Sequence, residues 1–310
     1  MRLGFAVKVL GGGGLPSHDA RRWQSGPDLG VSLDRLDAIL SYLDAQDIRM
    51  YRMATALAPY ASHPDLPQFR DQPARCAERL AQVGARARAL DIRLSTHPGQ
   101  YTVLNSEDAR VQRLAAEELE VQAELMDGMR LGPEAVVVLH VGGAAGGLDA
   151  ARDRFEAGFA LLSGAARGRV VIENDDRSFG LGAVLPLAER IGRPVVWDAL
   201  HHRCHDPDGI PAREALRLAL ATWPDGVTPK VHFSSPRTAV EERRRKVVLP
   251  PLRAHADLVD PIAFEAFLEH TVDGADVDVM LEAKAKDLAL LRLREQLAAR
   301  QVAVAHPAPR

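Results

Sequence analysis

A single α/β domain closed into a (β/α)8 TIM barrel is the fold this sequence predicts, and three observations carry that expectation. Eight short apolar runs rich in Val, Ile and Leu recur along the chain, with longer Ala/Leu/Glu/Arg-rich stretches between them. The runs are apolar throughout rather than alternating, as parallel strands buried on both faces should be. Eight such units in about 285 residues favour closure into a barrel over a doubly wound open sheet.

In chain order, the strands are expected at 2–9 (RLGFAVKV), 48–54 (IRMYRMA), 92–98 (IRLSTHP) and 135–142 (AVVVLHVG). They continue at 169–175 (RVVIEND), 193–200 (RPVVWDAL), 229–234 (PKVHFS) and 277–283 (VDVMLEA). Between them, stretches such as 108–129 place apolar residues three and four apart, the spacing of a helix with one buried face. The Gly run 11–14 lacks the Gly-Lys-Ser/Thr of a phosphate loop and reads as a turn after the first strand. No composition shift or internal repeat divides the chain. The barrel is expected over 1–290, with a helix end and a disordered tail over 291–310.

Bulk properties narrow the function classes. Hydrophobic residues make up 46% and charged residues 26%, as in an ordinary globular domain, and 310 residues can bury a sizeable core. The net charge of −3 gives no general attraction to nucleic acid, so such a partner must be held by a local patch or by metals. The N-terminal apolar run is too short to span a membrane and has no signal-cleavage pattern. Two cysteines, Cys76 and Cys204, make no disulfide framework, which points to a reducing cytoplasm.

The chemistry lies where the strands end. His97, His140, Glu173, Asp198, Lys230 with His232, and Glu282 stand in the second halves of six expected strands. A parallel barrel gathers all those ends at one mouth, although the residues are tens of positions apart in sequence. Lys230 and His232, two apart, point to one side of their strand. His201 opens the loop after Asp198, and His63 and His255 sit on loops at the same mouth. Glu173 and Glu282 each close an apolar run, where a buried acid is costly unless paired, protonated or bound to a cation.

Imidazole and carboxylate without thiolate suit Mn²⁺, Zn²⁺, Fe²⁺ or Co²⁺. Nine candidate ligands exceed the needs of one ion, so two or three are expected, with a bridging carboxylate. Paired ions about 3.5–4 Å apart are suited to cleaving phosphate esters. Lys230 among them must be deprotonated, turned toward a phosphate, or carboxylated. A zinc knuckle from His202, Cys204 and His205 is disfavoured, because a lone thiol makes a poor structural site.

The motifs YASHP, STHPGQYTVLNS, LHVGG, VIEND, WDALHH, PKVHFSS and HADLVD, in this order, resemble those of the UV damage endonucleases, TIM barrels related in fold to endonuclease IV. The resemblance implies a metal-dependent repair enzyme that nicks double-stranded DNA immediately 5′ of pyrimidine dimers and 6-4 photoproducts. It implies up to three metals, usually Mn²⁺, with Zn²⁺, Mg²⁺ or Co²⁺ as other candidates. The ligands would be His97, His140, Glu173, Asp198, His201, His232 and Glu282, with His63 and His255 at further positions. Glu173, Lys230 and His232 would stand at the catalytic centre, Lys230 matching a lysine that can be modified.

Gln100 and Tyr101 would be the probe that wedges into the duplex opposite the lesion; a planar ring suits the gap left by extruded bases. Where the resemblance calls for Tyr and Asn near the end of strand one, this chain has Phe5 and Val9, so Phe5 is the expected lesion contact there. Arg243, Arg244 and Arg245, in a long loop after strand seven, are candidate phosphate contacts. No membrane or protein partner is expected, and a cytoplasmic, nucleoid-associated monomer suits an enzyme that clamps a duplex. The alternatives are an abasic-site endonuclease of the endonuclease IV kind, a xylose-isomerase-like sugar isomerase or epimerase, and a noncatalytic metal-binding barrel.

Overall fold

Parallel pairing runs around a complete ring in the computed structural model, which describes the chain except Arg244, Ala303 and residues 305–310, and except the side chain of Arg243. The strands, in chain order, are β1 (Leu3–Ala6), β2 (Met50–Arg52), β3 (Arg93–Ser95), β4 (Val137–His140), β5 (Val170–Glu173), β6 (Val195–Val196) and β7 (Lys230–Phe233). A short antiparallel hairpin, β8 (Glu241–Arg243) with β9 (Lys246–Val248), precedes the last barrel strand, β10 (Asp278–Leu281). One sheet runs β3-β2-β1-β10-β7 and another β4-β5-β6. Two seams join them. Thr96 bonds across to Val136 and Val138, and the His232 amide donates to Trp197 O at 2.9 Å. Each of the eight expected runs contains one barrel strand.

The two sides of each strand face different interiors. Val137, Leu139, Val170 and Ile172 pack outward under the helices, joined by Leu33, Leu36 and Ile39 of the helix Leu29–Ala45. Alternate residues face the barrel axis and stack in levels. At the bottom, Arg93 ion-pairs with Asp278 at 2.9 Å and lies over the Trp223 ring. Above it, the Lys230 ammonium donates to Ser95 Oγ at 2.9 Å. The same alternation brings His97, His140, Glu173, Asp198, His232 and Glu282 to the top.

Three local expectations are corrected. The stretch after Asp198 is a short helix, Ala199–Cys204, because the Asp198 side chain accepts from the His201 amide at 2.7 Å and caps it. The loop after β7 folds partly into the β8–β9 hairpin, with Arg245 turning its tip at φ +61°. Lys230 opens β7 instead of standing in its second half, which sets it one level below His232. The helix Lys286–Ala299 carries the core residues Leu293 and Leu297 across position 290, so the barrel packing continues to its end. The expected tail falls in part on residues 303 and 305–310, outside the described residues.

Candidate metal centre

Glu173, the last residue of β5, is fully buried at the middle of the mouth, and four imidazoles surround it. His232 Nδ1 lies 2.8 Å from its Oε1, and His97 Nε2 lies 3.0 Å from its Oε2. His140 and His201 each approach within 3.6 Å. Three overlapping sets bring donor atoms within 4.8 Å of one another: His97–Glu173–His232, Glu173–Asp198–His201, and Asp198–His232–Glu282. Glu173, Asp198 and His232 each belong to two of them.

Backbone contacts aim these donors. Asn174 holds Asp198 from both sides: its Oδ1 accepts from the Asp198 amide at 2.8 Å, and its Nδ2 donates to the Asp198 carbonyl at 3.1 Å. Its own carbonyl lies 3.0 Å from His201 Nδ1. A carbonyl only accepts, so Nδ1 carries a proton and Nε2 is the nitrogen left free of that bond. His255 is fixed likewise, its Nδ1 2.9 Å from the Glu282 carbonyl.

The electrostatics favour a cation. Burial alone would raise Glu173, but His232 and His140 hold it well below the ordinary carboxylate range. Burial would also raise Glu282, which Arg52 and His232 keep low. Asp198 is pushed up by burial, and His201 offsets this only in part. Asp198 Oδ2 and His232 Nε2 are buried with no hydrogen-bond partner among the described residues, and Glu173 Oε2 is buried with the His97 ring at 3.0 Å and His140 at 3.6 Å. Unsatisfied buried acceptors of this kind are rare. Together with a thiolate-free nitrogen and oxygen donor set, they fit divalent transition-metal ions.

Two histidines give the metal-free site a definite pH response. Burial lowers the His97 imidazole to about 4. Burial would lower His201 too, but Asp198, Glu173 and Glu282 outweigh it and raise that imidazole to about 9. An unfolded histidine titrates near about 6.5. Stability from His97 is lost as pH falls below that value, where the unfolded chain takes a proton that the folded site refuses. Stability from His201 is lost as pH climbs toward about 9, where the fold keeps a proton that the unfolded chain has released. The metal-free protein should therefore melt highest between about pH 6 and 7. Thermal melts in chelator across this range check it, and a midpoint still climbing toward pH 9 would contradict the His201 assignment.

The sequence-predicted residues divide into three groups. His97, Glu173, Asp198, His201, His232 and Glu282 share the overlapping sets, and His140 and His255 stand at their rim, His255 3.7 Å from Glu282 Oε2. His63 stands apart. Its ring lies 6.2 Å from Tyr60, its Nδ1 accepts from the Asp65 amide, and it lines a cavity of about 800 Å³ on the flank of the mouth. Tyr101 lines the same cavity, and the residue is 84% exposed on a loop with the exposed Gln100.

Phe5 is corrected: it has no exposed surface and packs edge-on against Tyr51, so it has no face to offer a base, and Val9 is buried as well. Arg245 is exposed at the hairpin tip, while Arg244 and the Arg243 side chain lie outside the described residues. Sequence reasoning missed Arg52, which ends β2 in an ion pair with Glu282, and Asn174. An arginine inside the apolar run MYRMA was the signal that could have found the first.

The family model for UV-endonuclease UvdE matches residues 31–308. The chain belongs to the UV-endonuclease UvdE family. It is 32% identical over 263 residues to the UV DNA damage endonuclease of Bacillus pumilus (strain SAFR-032), covering 84% of this chain and 78% of that protein. The enzyme of the same description from Halalkalibacterium halodurans is 34% identical over 265 residues, with 84% and 78% covered. The crystal structure of SacUVDE superposes with a TM-score of 0.81 at 29% identity, over 98% of this chain and 100% of that one.

A D-psicose 3-epimerase from Clostridium cellulolyticum H10 shares the fold alone, at 10% identity and a TM-score of 0.54 over 97% of each chain. As a UvdE-family protein the chain is an endonuclease, a phosphodiester hydrolase acting on DNA. The sugar-epimerase alternative rests on fold alone. No helix among the described residues is long and apolar enough to cross a membrane.

Proposed function

We propose that this enzyme nicks duplex DNA immediately 5′ of UV photolesions, pyrimidine dimers and 6-4 photoproducts, with two or three divalent cations, Mn²⁺ foremost, bound at the barrel mouth. The observation that carries this reading is the sharing of Glu173, Asp198 and His232 between overlapping donor sets, beside a loop that exposes Tyr101. Shared donors suit adjacent ions, and UV DNA damage endonucleases are the relatives that match most of the chain.

His97, Glu173, Asp198, His201, His232 and Glu282 would hold the ions, with His140 and His255 completing the rim and His63 available from its loop. Divalent cations in such a site supply Lewis acidity to phosphate oxygens and a more acidic water as nucleophile. The protein supplies the rest. Asn174 and the Glu282 carbonyl hold the His201 and His255 rings in orientation. Burial holds the Lys230 ammonium well below the ordinary lysine range, with Arg52 and Arg93 adding to the effect. A neutral amine is the form that carboxylation requires. Gln100 and Tyr101 enter the duplex opposite the lesion, where stacking is already weakened and extrusion costs least. A monomer working in the cytoplasm leaves the mouth open to a duplex.

A nicking assay with Mn²⁺ on end-labelled duplexes that are UV-irradiated, abasic or undamaged tests the reading. Cleavage is expected on irradiated duplex, on the 5′ side of the lesion. Equal cutting of the abasic duplex would favour the endonuclease IV alternative. No nicking with any of several bound divalent metals, in folded protein, would overturn the proposal.

A further inference from the structure

Next to the Arg52–Glu282 pair at the mouth, the loop bearing Lys8 and the segment bearing Lys284 and Lys286 are tied together, and none of these three lysines has an ion-pair partner among the described residues. Arg52 is taken up by Glu282 itself. Lys284 and Lys286 follow Glu282 on the segment leading from β10 into the helix Lys286–Ala299, and Lys8 stands on the loop after β1. Among the described residues, neither an ion pair nor a side-chain hydrogen bond is made by Lys8, Lys284 or Lys286. Lys8 and Lys284 are exposed, and Lys286 is half-buried. Burial and Arg52 hold the Lys286 ammonium below its ordinary range; Lys8 and Lys284 add to this, and Glu282 opposes it.

The backbone enforces this crowding of like charges. The Lys284 amide donates to Ala256 O at 3.0 Å and the Ala285 amide to Asp257 O at 2.9 Å. Asp287, the acid nearest Lys286 in sequence, faces elsewhere. Its carboxylate is filled by the Leu10 and Gly11 amides, each at 2.8 Å, and by the Tyr42 hydroxyl at 2.7 Å. Those same bonds tie the loop bearing Lys8 to the segment bearing Lys286. The helix that starts at Lys286 has no side-chain cap, so its positive end adds to the field of the three lysines. Within the described protein Glu282, itself paired with Arg52, opposes that repulsion only in part, and a phosphodiester backbone crossing the mouth would offset more of it.

We propose that Lys8, Lys284 and Lys286 form a docking point for a backbone phosphate of the DNA beside the bond to be cut, with Lys286 at its centre. They are positioning residues: they set where the strand lies over the metal centre and carry no information about the lesion. The proposal rests on the reading of this mouth as a DNA-cleaving site.

The test uses Mn²⁺-loaded protein and two probes, an undamaged duplex for binding against salt and the same duplex UV-irradiated for steady-state nicking. Lys286→Gln and the triple variant Lys8→Gln/Lys284→Gln/Lys286→Gln are compared with wild type. The slope of log affinity against log salt should flatten by about 0.9 for each phosphate that the variant no longer neutralises. KM should rise several-fold with kcat, Mn²⁺ content and melting temperature near wild type, and discrimination between irradiated and undamaged duplex should not change. Lys286→Arg should restore the slope. An unchanged slope in the triple variant, with the fold intact, overturns the proposal. Wild-type protein with a lysine-dependent slope that never nicks irradiated duplex upholds the phosphate site and overturns the proposed function.

Discussion

Glu173→Gln is expected to abolish nicking while leaving the metal-free barrel folded. The substitution keeps the shape and one acceptor oxygen and removes the charge on which the site is centred. Four imidazoles approach that carboxylate, at 2.8, 3.0, 3.6 and 3.6 Å. It is also common to two of the three donor sets. An amide there points N–H hydrogens at nitrogens that already face it, and it lowers the affinity of both sets for a cation together. Partners one step removed from a metal are worth about 10–100-fold, so a donor common to two sets should exceed about 100-fold.

The readouts separate chemistry from folding. Wild type should gain thermal stability on adding Mn²⁺, by about 2.7 kcal/mol at a hundred times Kd, and the variant should gain almost none. Unchanged turnover, with Mn²⁺ bound as in wild type, would remove Glu173 from the centre.

Tyr101→Ala is expected to cost lesion selectivity and nothing else. The residue is 84% exposed, so loss of its ring removes little buried area and should barely shift the melting temperature. The turn that carries it is closed by the Thr102 amide donating to Gly99 O at 3.0 Å, a bond that the substitution leaves in place. What disappears is an aromatic face. Base–aromatic stacking is worth about 1–3 kcal/mol per base, so preference for irradiated over undamaged duplex should fall roughly 5- to 150-fold. Tyr101→Phe should keep most of that preference, since stacking uses the ring and not the hydroxyl. A parallel fall in metal content and selectivity would count against the wedge role. The lysine variants should show the opposite pattern, with affinity weakened and preference intact.

Much of the site was legible because a barrel turns sequence order into a ring. An acid closing the run VVI, as Glu173 does, or VML, as Glu282 does, has the strand core below it and only the mouth ahead. His97 and His140 end their own runs in the same way, and in the structure their rings lie 5.0 Å apart. His63 and His255 look alike in sequence, each a loop histidine at the same rim. Only the second reaches the carboxylates, because the backbone carbonyl of Glu282 holds its ring. Phe5 could be placed on strand one from the sequence, but which way its ring turned could not. The Arg52–Glu282 pair joins residues 230 positions apart and left no trace in local pattern.

Residue order alone was enough to specify eight parallel strands closing into a barrel, and a mouth lined with imidazoles and acids. Both follow from the period of apolar residues and from the cost of burying a charge at a strand end. Three outcomes were settled by packing in three dimensions: which donors share a position, that Phe5 turns into the core, and that the loop bearing Lys8 is tied to the segment bearing Lys284 and Lys286. They depend on distances across the ring and on how its loops are tied, which no nearest-neighbour pattern encodes.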